Sequence, residues 1–283
     1  MSRDWQRLAS WRQGCGRESS LAYGSVSLLR ARNSNPRRPH LGQRWRALRA
    51  SPLILGHRGD SENYPENTMA ALEGAMRVGA DGFELDVRLC ASGELVVFHD
   101  EDLLRLCGDH RKVAELHWSE LQKLRVGGEA IPTLQEVLSE IPNAMVNIEL
   151  KQHPMRQALA LVQACAQAVE QSGALGRVLV SSFDPRLLLM LRVLEPNLAR
   201  GLLFAQEQGL PLRRGWLAHG LAPSAVHPEH VLVTAARMKQ WRRRGLRVHT
   251  WTVDDPARIT ELATIGVHAI ICNDPGAARD VLA

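Results

Sequence analysis

From Ser51 to the C-terminus, short apolar runs alternate with amphipathic stretches. The runs, rich in leucine and β-branched residues, predict strands at Leu53–Gly56, Gly82–Val87, Glu94–Phe98, Ala144–Leu150, Arg177–Ser182, Ala199–Leu203, Gly220–Pro223, Arg247–Thr252 and Ala269–Cys272. Apolar residues spaced three and four apart predict helices at Asn67–Val78, Ser119–Leu124, Leu134–Ile141, Pro154–Ser172, Pro185–Leu194, Val231–Arg244, Pro256–Ile265 and Ala277–Leu282. Local signals agree. Thr133 ahead of Leu134-Gln135-Glu136 is a capping box. Asp184 before Pro185 and Asp255 before Pro256 place a capping acid ahead of a proline at the first helical position, and Gly245 and Gly266 stand where helices should stop.

Strands alternating with helices imply a parallel sheet covered on both faces, and about eight such units predict a (β/α)8 TIM barrel. A doubly wound open sheet is the runner-up. Nine predicted strands are one too many. Gly82–Val87 and Glu94–Phe98 are joined only by a few residues around Ala91-Ser92-Gly93, too few for a crossover helix, so the barrel is expected to be distorted between its second and third strands.

Residues 1–50 show no such period. They carry 11 arginines, no lysine and two acids, a net +9, while the other 233 residues carry 24 basic and 28 acidic side chains, a net −4. The expected organisation is a disordered Arg-rich tail over 1–50, with short helical pieces around Asp4–Arg12 and Gln43–Arg49, followed by a single barrel domain over 51–283. A translation start placed too far upstream, an organelle transit segment and a secretory signal are competing origins for the tail; the lack of a continuous apolar stretch disfavours the last. The acidic body argues against a nucleic-acid partner. No run of about 18 apolar residues exists, which excludes a spanning helix. Five cysteines, an odd number without a CxxC spacing, argue against a zinc knuckle or disulfide framework and for a reducing, cytoplasmic setting. Homo-oligomerisation is compatible with all of this.

Polar residues cluster where strands end. His57-Arg58-Gly59 follows the first strand, Glu84-Leu85-Asp86 closes the second, His99-Asp100 follows the third, Glu149-Leu150-Lys151 closes the fourth, and Trp251-Thr252-Val253 ends a late one. In a barrel these ends share one rim, where active sites are built. Residues at i and i+2 of a strand point the same way, so Glu84 with Asp86, and Glu149 with Lys151, face one side. Three converging carboxylates, Glu84, Asp86 and Glu149, repel one another unless a hard divalent cation, Mg²⁺ or Ca²⁺, joins them. Arg58 and Lys151 beside that cation make an anion site, and two histidines, His57 and His99, supply a general acid and a general base. A lone His-Arg-Gly or Glu-x-Asp is more often a surface ion pair; the ordered combination on successive strand ends points to metal-assisted phosphoester cleavage.

The set His57-Arg58-Gly59, Pro65-Glu66-Asn67-Thr68, Glu84-Leu85-Asp86-Val87, His99-Asp100, Ile131-Pro132-Thr133-Leu134, Asn147-Ile148-Glu149-Leu150-Lys151, Ser181-Ser182-Phe183 and Trp251-Thr252-Val253 resembles the glycerophosphodiester phosphodiesterase family, of the short bacterial cytoplasmic type, over roughly residues 52–282. The resemblance implies a distorted barrel holding one divalent cation and cleaving small-molecule glycerophosphodiesters to sn-glycerol 3-phosphate and an alcohol. It implies Glu84, Asp86 and Glu149 as metal ligands, His57 and His99 as the acid/base pair, Arg58 and Lys151 on the phosphate, Trp251 on the glycerol side, and Glu66 close to the metal cluster as a ligand-orienting acid. Some positions depart from the family pattern: Asp254 where asparagine is common, Cys107 where threonine is common, and Cys272-Asn273-Asp274-Pro275 in place of a more usual Thr-Asp. None of them is expected to touch the metal or the histidines. Two alternatives stand beside this reading: a lysophospholipase D acting on lysolipids, with Leu210, Trp216 and Leu217 as apolar contributors, and a catalytically inactive barrel serving as a binding module.

Overall fold

A computed structural model describes Trp45 and residues 51–152, 154–208 and 221–283. Eight parallel strands form the wall: β1 (Leu53–His57), β2 (Gly82–Leu89), β8 (Met145–Leu150), β9 (Val178–Ser182), β10 (Ala199–Phe204), β11 (Ala225–Pro228), β12 (Arg247–Thr250) and β13 (Ala269–Cys272). They hydrogen-bond in the order β1-β13-β12-β11-β10-β9-β8-β2, and β2 also pairs with β1, which closes the barrel. The ninth strand of the sheet, β3 (Leu95–Val97), runs antiparallel to β2. The expected TIM barrel with an irregular corner between the second and third predicted strands is therefore what forms. The open-sheet alternative is excluded by the β1–β2 pairing.

That corner is an excursion rather than a crossover helix. After β3 the chain makes β4 (Asp102–Leu103), α2 (Leu104–Cys107), β5 (Asp109–Lys112), α3 (Trp118–Leu121), β6 (Arg125–Val126) and β7 (Glu129–Ala130). Phe98, Leu103, Val113, Leu116, Leu121 and Ile131 bury a small core of their own beneath it. The covering helix of this unit is α4 (Leu134–Glu140), opened by the expected Thr133/Glu136 capping box.

Further helices among the described residues are α1 (Met69–Arg77), α5 (Met155–Gln171), α6 (Pro185–Leu194), α7 (Ala235–Arg243), α8 (Pro256–Ile265) and α9 (Pro275–Val281). Asp184 and Asp255 cap α6 and α8 ahead of a proline, as the sequence predicts. The same signature starts α9, two residues earlier than predicted, with Asp274 accepting from the Ala277 amide at 2.8 Å. The strand predicted at Gly220–Pro223 lies instead at Ala225–Pro228; Pro223 cannot donate to a ladder on both sides, and the pairing starts after it. The helix predicted from Val231 splits into a 3₁₀ turn over His230–Leu232 and α7, because Thr234 caps the latter by accepting from the Arg237 amide.

Two apolar layers lie between wall and helices. A third fills the barrel interior, where Leu53, Met145, Leu179, Ala199, Ala225 and Ala269 meet Trp45. Trp45 belongs to the span expected to be a tail, within its predicted helical piece, and its side chain is 1% exposed. Its indole Nε1 donates to the Arg177 carbonyl at 3.0 Å, and its ring stacks on His249 at 5.3 Å. No helix of the described residues is long and apolar enough to cross a membrane. Leu210, Trp216 and Leu217 lie outside the described residues.

Candidate active site

The C-terminal rim gathers the polar residues singled out from sequence. Glu84, Asp86 and Glu149 each offer a carboxylate oxygen to a cluster spanning no more than 4.8 Å, and all three are buried. They meet because β2 and β8 are neighbours in a register that pairs Glu84 with Asn147 and Asp86 with Glu149. Among the described residues this is the one group of three or more metal-ligating side chains drawn so close.

Charge balance explains how such a cluster survives burial. Lys151 Nζ sits 2.7 Å from Asp86 and 2.5 Å from Glu149, and Arg58 Nε lies 3.3 Å from Asp86. Burial pushes the Asp86 carboxyl up, but Lys151 and Arg58 outweigh it and hold this group well below the usual carboxylate range. Burial, then the neighbouring Asp86 and Glu149 charges, push Glu84 well above that range. Glu149 is also raised, by burial first and by Asp86, with Lys151 opposing. Three carboxylates against two cations leave one negative charge uncompensated in a desolvated place. An all-oxygen set of this kind fits a hard divalent cation, which would turn the local balance positive.

Arg58 reaches the cluster through a strained backbone. It sits at φ 57°, a left-handed conformation rare for a residue with a Cβ, and its own amide donates to Glu84 Oε2 at 3.2 Å. Gly59 follows at φ 89°, where a Cβ would lie 2.4 Å from the Ala71 carbonyl carbon, so the loop passes against α1 only as glycine. Asn67, also left-handed at φ 60°, clamps Asp86 twice: its amide donates to Asp86 Oδ2 at 2.9 Å and its Oδ1 accepts from the Asp86 backbone amide at 3.3 Å. Sequence reading gave Asn67 no role, although its place in Pro-Glu-Asn-Thr could have suggested one.

Glu66 sits on the cations rather than in the carboxylate cluster. It pairs with Arg58 at 2.8 Å and with Arg105 at 2.7 Å. Arg105, unanticipated from sequence, also grips Asp100 Oδ2 at 2.6 Å, and Asp100 Oδ1 faces His99 Nδ1 at 2.6 Å. Burial pushes Asp100 up, but Arg105 and His99 bring it down to about 2. A single guanidinium on the excursion thus ties the Arg58 loop to the His99 loop. Arg88 Nε adds a hold on the His99 carbonyl at 2.9 Å.

His57 and His99 both line an inner cavity of about 190 Å³, with Glu84, Glu149, Lys151 and Trp251 around them. Burial lowers both histidines below their ordinary value; Arg58 adds to the effect on His57, while Asp86 opposes it on His99. An outer cavity of about 540 Å³ continues past His99, Glu149 and Lys151 toward Arg88 and Gln152. Trp251 donates its indole N–H to the His227 carbonyl at 2.8 Å and meets Phe183 edge-on at 5.5 Å, so it presents ring surface, not a donor, to the inner cavity. All nine residues predicted for the site are on this rim. One expectation fails. Asn273, at a position departing from the family pattern, does touch a histidine, with its Oδ1 2.8 Å from His57 Nδ1. Asn273 and His57 lie on adjoining strand ends because β1 pairs with β13.

Comparison with known proteins agrees with this geometry. The profile of the "Glycerophosphoryl diester phosphodiesterase family" matches residues 57–277. A glycerophosphodiester phosphodiesterase of Caldanaerobacter subterraneus subsp. tengcongensis is 34% identical over 233 residues, covering 79% of this chain and 94% of that protein. The structure of an Oleispira antarctica phosphodiesterase in complex with the product sn-glycerol-3-phosphate superposes with a TM-score of 0.75 at 25% identity, covering 82% of this chain and 97% of that one. A glycerophosphodiester phosphodiesterase of Thermotoga maritima gives 0.68 at 28% identity, covering 81% and 98%.

Proposed function

Because this chain belongs to the glycerophosphoryl diester phosphodiesterase family, we propose that it hydrolyses small glycerophosphodiesters to sn-glycerol 3-phosphate and an alcohol, with His57 and His99 as the acid/base pair. The observation carrying the reading is the convergence of three buried carboxylates and two cations between two histidines that line one cavity. Glu84, Asp86 and Glu149 would hold one Mg²⁺ or Ca²⁺, which when bound supplies Lewis-acid stabilisation of charge developing on the phosphoryl group. The rest of the chemistry falls to the chain. Arg58 and Lys151 orient the phosphate oxygens and add positive charge where the transition state gains negative charge. Neutral histidines can accept a proton, so one of the pair takes it from the nucleophile, water or the substrate's own 2-hydroxyl, and the other delivers one to the leaving alcohol. Trp251 offers an apolar face to the glycerol carbons.

The test is release of sn-glycerol 3-phosphate from glycerophosphocholine and glycerophosphoethanolamine by the full chain, with EDTA, Mg²⁺ or Ca²⁺. Metal-dependent product, lost with Glu84→Gln and reduced about 10²–10⁴-fold with His99→Ala, supports the reading. Calorimetry should show Mg²⁺ or Ca²⁺ binding that Glu84→Gln weakens. No product with any metal, but release from lysolipids, would move the chain to lysophospholipase D chemistry.

A further inference from the structure

The ring of His57 is held at Nδ1 by a residue whose own orientation is forced. Asn273 Oδ1 lies 2.8 Å from His57 Nδ1. An amide side chain can present either its oxygen or its NH₂ to a neighbour, and the surrounding hydrogen bonds decide which. Here Asp254 decides. Its carboxylate is acceptor-only, and it takes both the Asn273 side-chain Nδ2, at 2.7 Å, and the Asn273 backbone amide, at 2.6 Å. Turning the NH₂ toward Asp254 leaves the oxygen toward His57. Ser61 fits the same direction, its hydroxyl donating to that Oδ1 at 3.1 Å. An oxygen at Nδ1 requires a proton on Nδ1.

We propose that Asn273, locked by Asp254, is a positioning residue that fixes neutral His57 as its Nδ1–H tautomer and leaves Nε2 as the proton-accepting nitrogen for the cavity. The chain Asp254–Asn273–His57 joins the residues that follow β12 and β13 to the end of β1, with 216 residues between Asn273 and His57. His57 thereby differs from His99, whose Nδ1 faces the carboxylate of Asp100 directly. One histidine is backed by a neutral amide with the charge one residue removed, and the other by an anion. The consequence for turnover rests on the acid/base reading of His57 above; the tautomer does not.

The two are tested separately. Full-length protein labelled with ¹⁵N-histidine reports the tautomer without turnover, with His57 assigned by its disappearance in His57→Gln. The expected spectrum has a protonated Nδ1 and an unprotonated Nε2 for His57 in the wild type. In Asp254→Asn, a near-isosteric change, the Asn273 amide is free to flip and the two nitrogens move toward averaged shifts. A protonated Nε2 in the wild type, or an unchanged spectrum in Asp254→Asn, would overturn the proposal. In turnover, Asn273→Ala should lower kcat roughly 10–100-fold, by analogy with the range seen when the partner that orients a metal-ligating imidazole is removed, with KM near wild type. Asp254→Asn should lower kcat about 10-fold at an unchanged melting temperature. Neither change should cost anything further in a His57→Gln background. An equal cost there would mark the effect as structural and sink the positioning role. Wild-type kcat in His57→Gln would instead defeat the acid/base reading, and the nitrogen spectrum would still decide the tautomer.

Discussion

Trp45→Ala should unfold the barrel far more readily while leaving its chemistry in place. The indole is 1% exposed and fills the barrel interior among Leu53, Met145, Leu179, Ala199, Ala225 and Ala269. A buried tryptophan of about 200 Å² at about 25 cal/mol per Å² sets an upper figure near 5 kcal/mol, and measured Trp→Ala changes in cores cost about 3–5 kcal/mol. Three of the neighbours are alanines, which cannot swing in to fill the space, so the upper half of that range applies. The lost hydrogen bond adds little, because the Arg177 carbonyl keeps the Val146 amide at 3.0 Å as a second donor. For a domain of this size each kcal/mol lowers Tm by about 2–4 °C, so the drop should be roughly 8–20 °C by calorimetry. Trp45→Phe should recover most of it through ring stacking on His249. Activity well below the transition should stay within about twofold, since the strand ends bearing the carboxylates lie at the other end of the wall. A truncation starting at residue 51 should melt like Trp45→Ala. A Tm change under 2 °C would refute the placement of Trp45 in the core.

Other consequences are equally specific. Arg105→Gln releases both Asp100 and Glu66, so kcat should fall about 10-fold while circular dichroism stays unchanged; an intact kcat would show that the bridge between the Arg58 and His99 loops is dispensable. His227 is buried inside the barrel with its ring 4.7 Å from His249, and burial pushes it down to about 3. The unfolded ring titrates near 6.5, so as pH falls the unfolded chain takes the proton first, and the contribution of His227 to stability, complete above pH 6.5, drains away by about 1.4 kcal/mol per unit down to about pH 3. Urea unfolding between pH 6 and 4 should lose that slope in His227→Leu, and an unaltered slope would defeat the assignment.

Much of this protein was written locally. Alternating runs and caps such as Thr133/Glu136, Asp184-Pro185 and Asp255-Pro256 act over a few residues, so they survive in the sequence as readable patterns. The i, i+2 spacing of Glu84 with Asp86, and of Glu149 with Lys151, needs only a strand to place both side chains on one face. The strand-end positions of His57 and Trp251 likewise need only a barrel to bring them to one rim, whereas His99 reaches it because the antiparallel β3 folds back along β2 as far as Asp86, whose carbonyl accepts from the Phe98 amide. What tertiary structure alone decided is which distant partners those groups meet. The β1–β13 pairing puts Asn273 on His57, the path of the excursion puts Arg105 between Glu66 and Asp100, and left-handed turns at Arg58 and Asn67 aim both at Asp86. Trp45 looks like tail by composition, yet the barrel interior needs a large ring among small alanines, and that vacancy exists only once eight strands have closed. Periodicity encodes which face a residue takes; register and closure decide what it faces.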